Sequence, residues 1–348
     1  MDIILDNLDK MGHIDPRGML DVITALPESS EDAIEAAEKV NLRLRHFRNL
    51  VVAGMGGSAV GGLLLRDWLL QSSKVPIVVS RDYSLPGFVD NDTLLFVVSY
   101  SGGTEETLSA FEEGKARGAK ILAFTSGGEL EKRAKEARVT IYKLPQGFQP
   151  RAAIAHQFLS LVVAARKAGV AEDSWWEVRE AIDVLKTIRE EMRPETPQWS
   201  NPAKKLASEL QGFIPFVYGS RIHEAVAYRW NTQLNENGKS PAGSSFIPEA
   251  FHNAIVAGEA DKELLSRVCV VFITDPVEGE HVATKTHRFM DIIKPSFGKV
   301  LEVEARGEGK LARMLSALYV GDYVSAYLGI LYGKDPSIVD SIDRLKRG

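Results

Sequence analysis

Residues 99–104 have the sequence Ser-Tyr-Ser-Gly-Gly-Thr. This stretch is the most informative in the chain, because it indicates both the fold and a ligand site. It follows the apolar run Thr93–Val98, which predicts a buried strand, and it precedes residues 105–115, which predict a helix. At such a strand-to-helix turn, backbone N–H groups point outward and the helix dipole favours an anion. Its hydroxyls, which bring neither charge nor bulk, suit phosphate oxygens. The stretch therefore predicts a phosphate-binding turn, although an ordinary turn with Thr104 as helix N-cap has the same pattern.

Apolar runs alternate with helical segments on both sides of this turn. In the first half of the chain, strands are predicted at residues 50–53, 76–80, 93–98, 120–124 and 139–144. In the second half, they are predicted at residues 214–218, 268–273 and 299–303. This alternation indicates parallel sheets with ligand sites at the carboxyl ends of the strands. Because Gly219-Ser220 repeats the Gly57-Ser58 pattern after a strand, we predict an α/β fold of two similar halves, each a mainly parallel sheet flanked by helices.

A proline-rich stretch indicates where the chain divides. Apolar side chains lie at helical spacing in residues 179–192, and Pro194, Pro197 and Pro202 then break the pattern. We predict four segments: an N-terminal helical segment at 1–48, a first domain with its following helices at 49–192, a linker at 193–202, and a second domain with C-terminal helices at 203–348.

Composition limits the classes of function. A length of 348 residues with 45% apolar side chains allows two domains with ordinary cores. A net charge of −5 disfavours nucleic-acid binding, and the acidic start of the chain lacks a basic signal region. The apolar residues 311–331 include Arg313 and Asp322, which favours a core or subunit-contact helix over a membrane span. The single cysteine, Cys269, lies in an apolar strand, and we expect a cytoplasmic protein.

The glycine-rich turn Gly54-Met-Gly-Gly-Ser-Ala59 follows the first predicted strand. It fits the dinucleotide fingerprint G-x-G-x-x-A, and Asp82 lies near the end of the next strand, so a nicotinamide-dependent oxidoreductase is one interpretation. That interpretation leaves the hydroxyl-rich turn at 99–104 without a role. In the preferred interpretation, Gly57 and Ser58 let the backbone approach a ligand and offer a hydroxyl to a sugar.

Two charged residues lie where their helix dipoles oppose them. Arg151 follows Pro150 at the start of a predicted helix, so it either holds an anion or a developing oxyanion or is a solvated arginine. Glu236 closes a helix that we expect Gly238 to cap. The dipole and burial predict a raised pKa that suits a general base, whereas the pattern alone favours a surface glutamate beside Lys239.

Two further ionisable residues carry weaker signals. His252 stands out among the seven histidines only because it follows Glu236 closely, and a lone histidine is more often structural than catalytic. Lys346, two residues from the end of the chain, has the pattern of a solvated lysine. The sequence contains no HExxH motif and no Cys/His cluster, so we predict no catalytic metal.

Together, these motifs resemble the sugar isomerase (SIS) domain family, and within it the bifunctional phosphoglucose/phosphomannose isomerases. The resemblance spans nearly the whole chain in two SIS halves. The residues that carry it are Gly54-Met-Gly-Gly-Ser58, Ser99-Tyr-Ser-Gly-Gly-Thr104, Pro150-Arg151, Leu234-Asn-Glu-Asn237, residues 249–253 and residues 342–346.

The resemblance implies that the substrate is a hexose 6-phosphate. Ser99, Ser101 and Thr104 would bind its phosphate, and Gly57 and Ser58 would line the sugar site.

The resemblance also implies a mechanism without a cofactor, in which hydrogen leaves and returns as a proton through a cis-enediol. Glu236 would carry the proton between C1 and C2, and Arg151 would balance the charge of the enediolate. His252, supplied by the partner subunit of a homodimer, and Lys346 would assist ring opening.

Two positions depart from the family pattern. Gly103 stands where the family turn usually has asparagine, which removes one side-chain hydrogen bond from the phosphate turn. Val339 stands where a threonine hydroxyl has been linked to mannose-type substrates, so phosphoglucose activity is better supported than phosphomannose activity. SIS modules also serve as sugar-phosphate sensors without catalysis when joined to DNA-binding segments, and the residues before Leu50 show no basic helix-turn-helix pattern.

Overall fold

The computed structural model describes residues 4–42, 44, 46–172 and 175–347, with side chains at all of these except 343, 346 and 347. The chain forms two compact units. Leu26–Trp175 form the first, here called the five-stranded unit. Met1–Ala25 together with Trp176–Gly348 form the second, here called the four-stranded unit.

Helices surround the sheet of the five-stranded unit. Helices α1 (Leu8–Ile14) and α2 (Met19–Thr24) precede this unit in the chain, and α3 (Leu26–Glu38) opens it. Its strands are β1 (Asn49–Gly54), β2 (Ile77–Ser80), β3 (Thr93–Val98), β4 (Lys120–Thr125) and β5 (Thr140–Lys143). The helices that follow are α4 (Gly56–Leu69), α5 (Glu105–Ala116), α6 (Gly128–Glu136) and α7 (Ile154–Lys167).

All five strands run parallel, in the order β2-β1-β3-β4-β5. Every residue of the central strand β3 is buried, which its unbroken apolar run predicts for a strand covered on both faces. The strand order reverses between β1 and β3, and ligands bind at the carboxyl ends of the strands at such a point. The two turns singled out in the sequence, at 54–59 and 99–104, follow these two strands.

The four-stranded unit has a second parallel sheet, in the order β7-β6-β8-β9. Its strands are β6 (Ile214–Ser220), β7 (Gly243–Ile247), β8 (Val268–Thr274) and β9 (Lys299–Glu304). Its helices are α8 (Trp175–Met192), α9 (Pro202–Leu210), α10 (Glu224–Glu236), α11 (Lys262–Leu265), α12 (Glu280–Ile293), α13 (Lys310–Leu331) and α14 (Asp340–Arg347).

The two sheets have the same topology. Strands β7, β6, β8 and β9 follow the order of β2, β1, β3 and β4, which agrees with the prediction of two similar α/β halves. Strand β7 is not predicted from the sequence, because its residues Gly243-Ser-Ser-Phe-Ile247 have no apolar run and only Ile247 is buried. This strand is nevertheless important, because it leads from the Glu236 helix to the segment that contains His252.

Helix α8 belongs to the four-stranded unit from Trp176 onward, whereas the sequence predicts that residues 175–192 belong to the first domain. The Glu180 carboxylate accepts hydrogen bonds from the backbone N–H groups of Glu308 and Gly309, the latter at 2.8 Å. The Tyr327 hydroxyl donates to the Met192 carbonyl at 2.6 Å. The proline-rich segment at 193–202 is thus a connection inside the four-stranded unit.

Helix α13 is the central helix of the four-stranded unit. It is long and apolar enough to cross a membrane by length and composition, yet 94% of its apolar window is buried inside the protein. It packs against α9 and α10, and its two charged residues nearest the core, Arg313 and Asp322, are both paired with opposite charges. The sequence-based prediction of a core helix at 311–331 is confirmed.

Candidate active site

The hydroxyl-rich turn lies at the carboxyl end of the central strand β3, directly before α5. Ser99 is buried and its hydroxyl donates to the Thr104 hydroxyl at 3.0 Å. The Ser99 hydroxyl also accepts from the Gly102 N–H at 3.1 Å, and Ser101 Oγ accepts from the Gly103 N–H at 3.3 Å. These bonds hold the serines and Thr104 around one short loop.

Thr104 occupies the N-cap position of α5, but its side chain makes no capping hydrogen bond. The alternative in which Thr104 serves only as a side-chain cap is therefore not supported. The first N–H groups of a helix have no partner within the helix, and without a side-chain cap those of α5 stay available to an anion. The turn thus has the hydroxyls and the backbone donors that a phosphate group requires.

The two glycines of this turn differ in the space around them. Gly102 has a φ of +69°, and a Cβ atom there would overlap the Gly127 carbonyl. Gly103, by contrast, has open space within 4 Å of the position of a Cβ atom. Gly102 must therefore be glycine, whereas the geometry accepts a larger residue at 103.

Tyr100, between the two serines, was not recognised from the sequence as a site residue. Its hydroxyl donates to the Pro145 carbonyl at 2.8 Å and accepts from the Phe148 N–H at 2.9 Å. Burial raises the pKa of this hydroxyl above its usual range. Tyr100 thereby fixes the loop between β5 and α7, which contains Arg151. The only signal for this role in the sequence is an aromatic residue with a polar end among small residues.

A second hydroxyl-rich turn, Thr125-Ser-Gly-Gly128, follows β4 and supports the first. The Ser126 N–H and hydroxyl both donate to the Tyr100 carbonyl, at 3.0 and 2.7 Å. The Gly102 carbonyl accepts from the Leu130 N–H at 2.8 Å. This turn is not among the predicted site elements, although its Ser-Gly-Gly after a strand repeats the pattern of residues 101–103.

Gly57 and Ser58 lie in the first turn of α4, beside the 99–104 turn. The buried Ser58 hydroxyl accepts from the Tyr100 N–H at 3.3 Å. A Cβ atom at Gly57 would lie 3.0 Å from both the Pro150 carbonyl oxygen and the Arg151 Cα. The close backbone approach predicted at Gly57 is thus an approach by the loop that contains Arg151.

Arg151 is only 4% exposed, which excludes the interpretation as a solvated arginine. Helix α7 begins at Ile154, so Arg151 lies in the turn before the helix and not in its first residues as predicted. The Gln157 amide donates to the Pro150 carbonyl at 2.5 Å and fixes this turn from inside the helix. The five-stranded unit therefore collects Gly57, Ser58, the 99–104 turn and a buried cation at one end of its sheet.

Glu236 is the last residue of α10 and is half-buried. The predicted cap by Gly238 is wrong. Asn237 is the C-cap, Lys239 takes the left-handed φ of +51°, and Gly238 is required because a Cβ there would lie 2.8 Å from the Leu234 carbonyl oxygen. The Lys239 ammonium donates to the Glu236 carbonyl, so a cation meets the negative end of the helix dipole beside Glu236.

His252 ends a short 3₁₀ turn, Glu249–His252, a few residues after β7, and its side chain is exposed on this chain. The Asn253 amide donates to the Glu249 carboxylate at 3.0 Å and closes the turn. Lys346 lies on α14, and its side chain is outside the described residues. Among the residues that the structure describes, no group of three His, Cys, Asp or Glu side chains is arranged to hold a metal ion.

Comparisons with known proteins agree with this architecture. The SIS domain family matches residues 43–165, and the bacterial phospho-glucose isomerase C-terminal SIS domain matches residues 199–348. The bifunctional phosphoglucose/phosphomannose isomerase of Caldicellulosiruptor bescii is 40% identical, over 94% of this chain and 98% of that protein. The Aquifex aeolicus protein of the same name is 38% identical, over 89% and 92% respectively.

A solved structure shows the same fold at low sequence identity. The glucose-6-phosphate isomerase like protein of Thermus thermophilus superimposes with a TM-score of 0.65 at 19% identity, over 99% of this chain and 98% of that one. Fold and site together define a protein built from two SIS domains. The chain belongs to the family of bifunctional phosphoglucose/phosphomannose isomerases.

Proposed function

We propose that this enzyme interconverts glucose 6-phosphate, and also mannose 6-phosphate, with fructose 6-phosphate. The observation that carries the proposal is the hydroxyl-lined turn at 99–104, whose helix lacks a side-chain cap and which lies where the strand order of the first sheet reverses. The names of the relatives at 40% and 38% identity support the same activity.

The phosphate turn would anchor the substrate by its non-reacting end. Hydroxyl and N–H donors of the turn bind phosphate oxygens, and this remote binding energy holds the sugar carbons in place for the reaction. The buried cation Arg151 lies beside Gly57 at the same end of the sheet and adds positive charge there, although the protein as a whole is acidic. The five-stranded unit would thus bind the substrate and stabilise negative charge on it.

Glu236 would transfer the proton. In the open-chain aldose, its carboxylate takes the proton from C2, electrons move to the C1 carbonyl oxygen, and a cis-enediolate forms. Arg151 balances the charge of this intermediate. The proton of the C2 hydroxyl passes to the C1 oxygen, and the proton held by Glu236 goes to C1, which gives the ketose. Glucose and mannose phosphates differ only in configuration at C2, so one enediolate serves both substrates. The hydrogen moves as a proton throughout, and the step needs no redox cofactor.

His252 would act on the substrate of the other subunit in a homodimer. Its side chain is exposed on the isolated chain, which supports a role across a subunit interface. There it would assist ring opening together with Lys346.

A coupled assay tests the proposed function. We expect the purified protein to convert both glucose 6-phosphate and mannose 6-phosphate to fructose 6-phosphate with EDTA present. Binding of fructose 6-phosphate without turnover of either aldose would make the protein a sugar-phosphate sensor and would end the proposal. Turnover of glucose 6-phosphate alone would show a phosphoglucose isomerase that does not accept mannose 6-phosphate. The valine at position 339 would then explain why mannose 6-phosphate is not a substrate.

A further inference from the structure

Helix α10, whose last residue is Glu236, is locked onto α13 by close steric contact. The Trp230 indole N–H donates to the Ala317 carbonyl at 2.9 Å, and its ring lies where a Cβ atom at Gly321 would overlap it. Two turns further on, a Cβ at Gly329 would overlap the Asn237 carbonyl. Glycines on α13 thus let α10 approach closely at both ends of the contact.

A buried polar network follows the same line of contact. Arg229 Nε and Nη2 donate to the two carboxylate oxygens of Asp322 at 2.9 and 2.7 Å, and the Gln233 amide donates to the first of these oxygens at 3.0 Å. One turn later, the Asn237 amide donates to Ser325 Oγ at 3.1 Å, and that hydroxyl donates to the Asp322 carbonyl at 2.7 Å. Arg229 and Asp322 are only 1% and 3% exposed.

These bonds fix α10 more tightly than apolar packing would. A bidentate ion pair has a preferred geometry, so it adds a directional restraint on the rotation and height of the helix to the restraint from packing. Arg229, Gln233 and Asn237 are spaced one turn apart along the helix, and Asn237 is the neighbour of Glu236. The anchor of the network is therefore Asp322, which is hydrogen-bonded directly to two residues of α10 and, through Ser325, to its C-cap.

We propose that Asp322 is a positioning residue that sets where α10 presents the Glu236 carboxylate to the substrate. The inference rests on the proposed role of Glu236 as the base. Buried ion pairs contribute little net stability compared with well-packed apolar residues. The network is therefore better explained by accurate placement of α10 than by a gain in the free energy of unfolding. Displacement of a catalytic group by about 1 Å can cost on the order of a hundredfold in rate.

The decisive variant replaces the pair by apolar residues. Arg229→Met with Asp322→Leu removes both charges together, so no unpaired charge stays buried and we expect a folded protein. We expect kcat for glucose 6-phosphate to fall by about tenfold to a hundredfold. KM should change by less than about threefold, because the phosphate turn belongs to the five-stranded unit. Arg229→Lys keeps the charge but loses the planar fork, and it should lower kcat in the same way.

A matched control lies on the same helix. Arg313 forms a second mostly buried ion pair, with Asp275 at 2.9 Å, which joins α13 to the end of β8 beside His223, at the opposite end of α10 from Glu236. Arg313→Met with Asp275→Leu should leave kcat within about twofold of wild type, whatever its effect on the free energy of unfolding.

Three outcomes separate this inference from the proposed function. If the Arg229/Asp322 double variant is as stable as wild type and keeps its kcat, Asp322 has no positioning role. If kcat falls only in proportion to the folded fraction, the network is structural alone, and the inference is again wrong. Glu236→Gln is measured in the same series: if it keeps its turnover, the base assignment itself fails and the inference fails with it.

Discussion

Gly57 packs directly on the backbone of Arg151, with 3.0 Å between the position of a Cβ atom and the Arg151 Cα. The glycine turn after β1 and the loop before α7 are therefore in direct backbone contact, although they are far apart in the chain. Tyr100 also fixes this loop, through hydrogen bonds of its hydroxyl with Pro145 and Phe148. The position of the buried cation depends on both contacts.

Gly57→Ala tests this contact. A methyl group would meet backbone atoms of Pro150 and Arg151 at 3.0–3.1 Å, and backbone cannot move aside as a flexible side chain does. We expect the loop to shift, kcat to fall by about tenfold or more, and the free energy of unfolding to fall by about 1–3 kcal/mol. Steady-state kinetics and urea unfolding measure the two effects.

Gly87→Ala is the matched control for Gly57→Ala. It lies in the same unit, has an ordinary φ and has open space around the position of its Cβ. The control should keep wild-type kcat. Equal loss of activity in both variants would show that the contact between Gly57 and Arg151 has no particular importance.

Much of this architecture follows from the sequence, because buried parallel strands have unbroken apolar runs. Strands β3 and β8 were predicted within one residue of their ends, and the 99–104 turn was located from its hydroxyls and glycines. Strand β7 could not be predicted, since its polar residues form a strand only through pairing with β6. The Tyr100 contacts and the Asp322 network likewise depend on residues distant in the chain, which no local pattern reveals.

Gly103→Asn tests the departure of the phosphate turn from the family pattern. Open space surrounds Gly103 and its φ lies outside the left-handed region, so a side chain fits without strain. We expect the free energy of unfolding to change by no more than about 0.5 kcal/mol. An added amide donor should lower KM for hexose phosphates by about threefold to tenfold and leave kcat nearly unchanged.

Gly102→Asn is the contrasting variant one residue earlier. Its side chain would overlap the Gly127 carbonyl, so it should disrupt the turn and weaken binding of inorganic phosphate. Similar behaviour of the two variants, measured by calorimetric titration with phosphate, would contradict the described geometry of the turn.

Glu236→Gln should lower turnover by two or more orders of magnitude, on the order of what a positioned general base contributes. The amide keeps the shape of the side chain but cannot take a proton from C2. A sugar-acid phosphate that resembles the enediolate should still bind, which isothermal titration measures. Turnover near the wild-type rate would remove Glu236 from the base role.

Hybrid dimers test whether His252 acts across a subunit interface. In a dimer of one Glu236→Gln subunit and one His252→Ala subunit, one of the two shared sites contains both native residues. Statistical mixing should therefore restore about a quarter of the wild-type activity. Mixtures that exchange subunits, shown by mass spectrometry, but stay inactive would place His252 and Glu236 of one chain in the same site. A His252→Ala homodimer that is active by itself would remove His252 from the reaction.

His223 makes the four-stranded unit sensitive to acid. It is fully buried directly after β6, and burial lowers the pKa of its imidazole to about 4, against the opposing effect of the nearby Asp275 carboxylate. Above about pH 6.5 the imidazole is neutral in both the folded and the unfolded chain, so it has no effect on the pH dependence of stability. As the pH falls from about 6.5 towards 4, the unfolded chain binds the proton first. The free energy of unfolding should therefore fall by about 3 kcal/mol over this range.

The comparison of wild type with His223→Phe isolates this contribution. Glu278 faces the same region, and because burial raises the pKa of its carboxyl, its protonation favours the folded state as the pH falls. Glu278, Asp275 and Arg313 are unchanged in the variant, so the difference between the two proteins belongs to position 223. Urea unfolding at several values between about pH 4 and 7 should give a flatter profile for His223→Phe than for wild type. Parallel profiles would mean that His223 binds its proton equally well in the folded and the unfolded chain, and burial would then not lower its pKa.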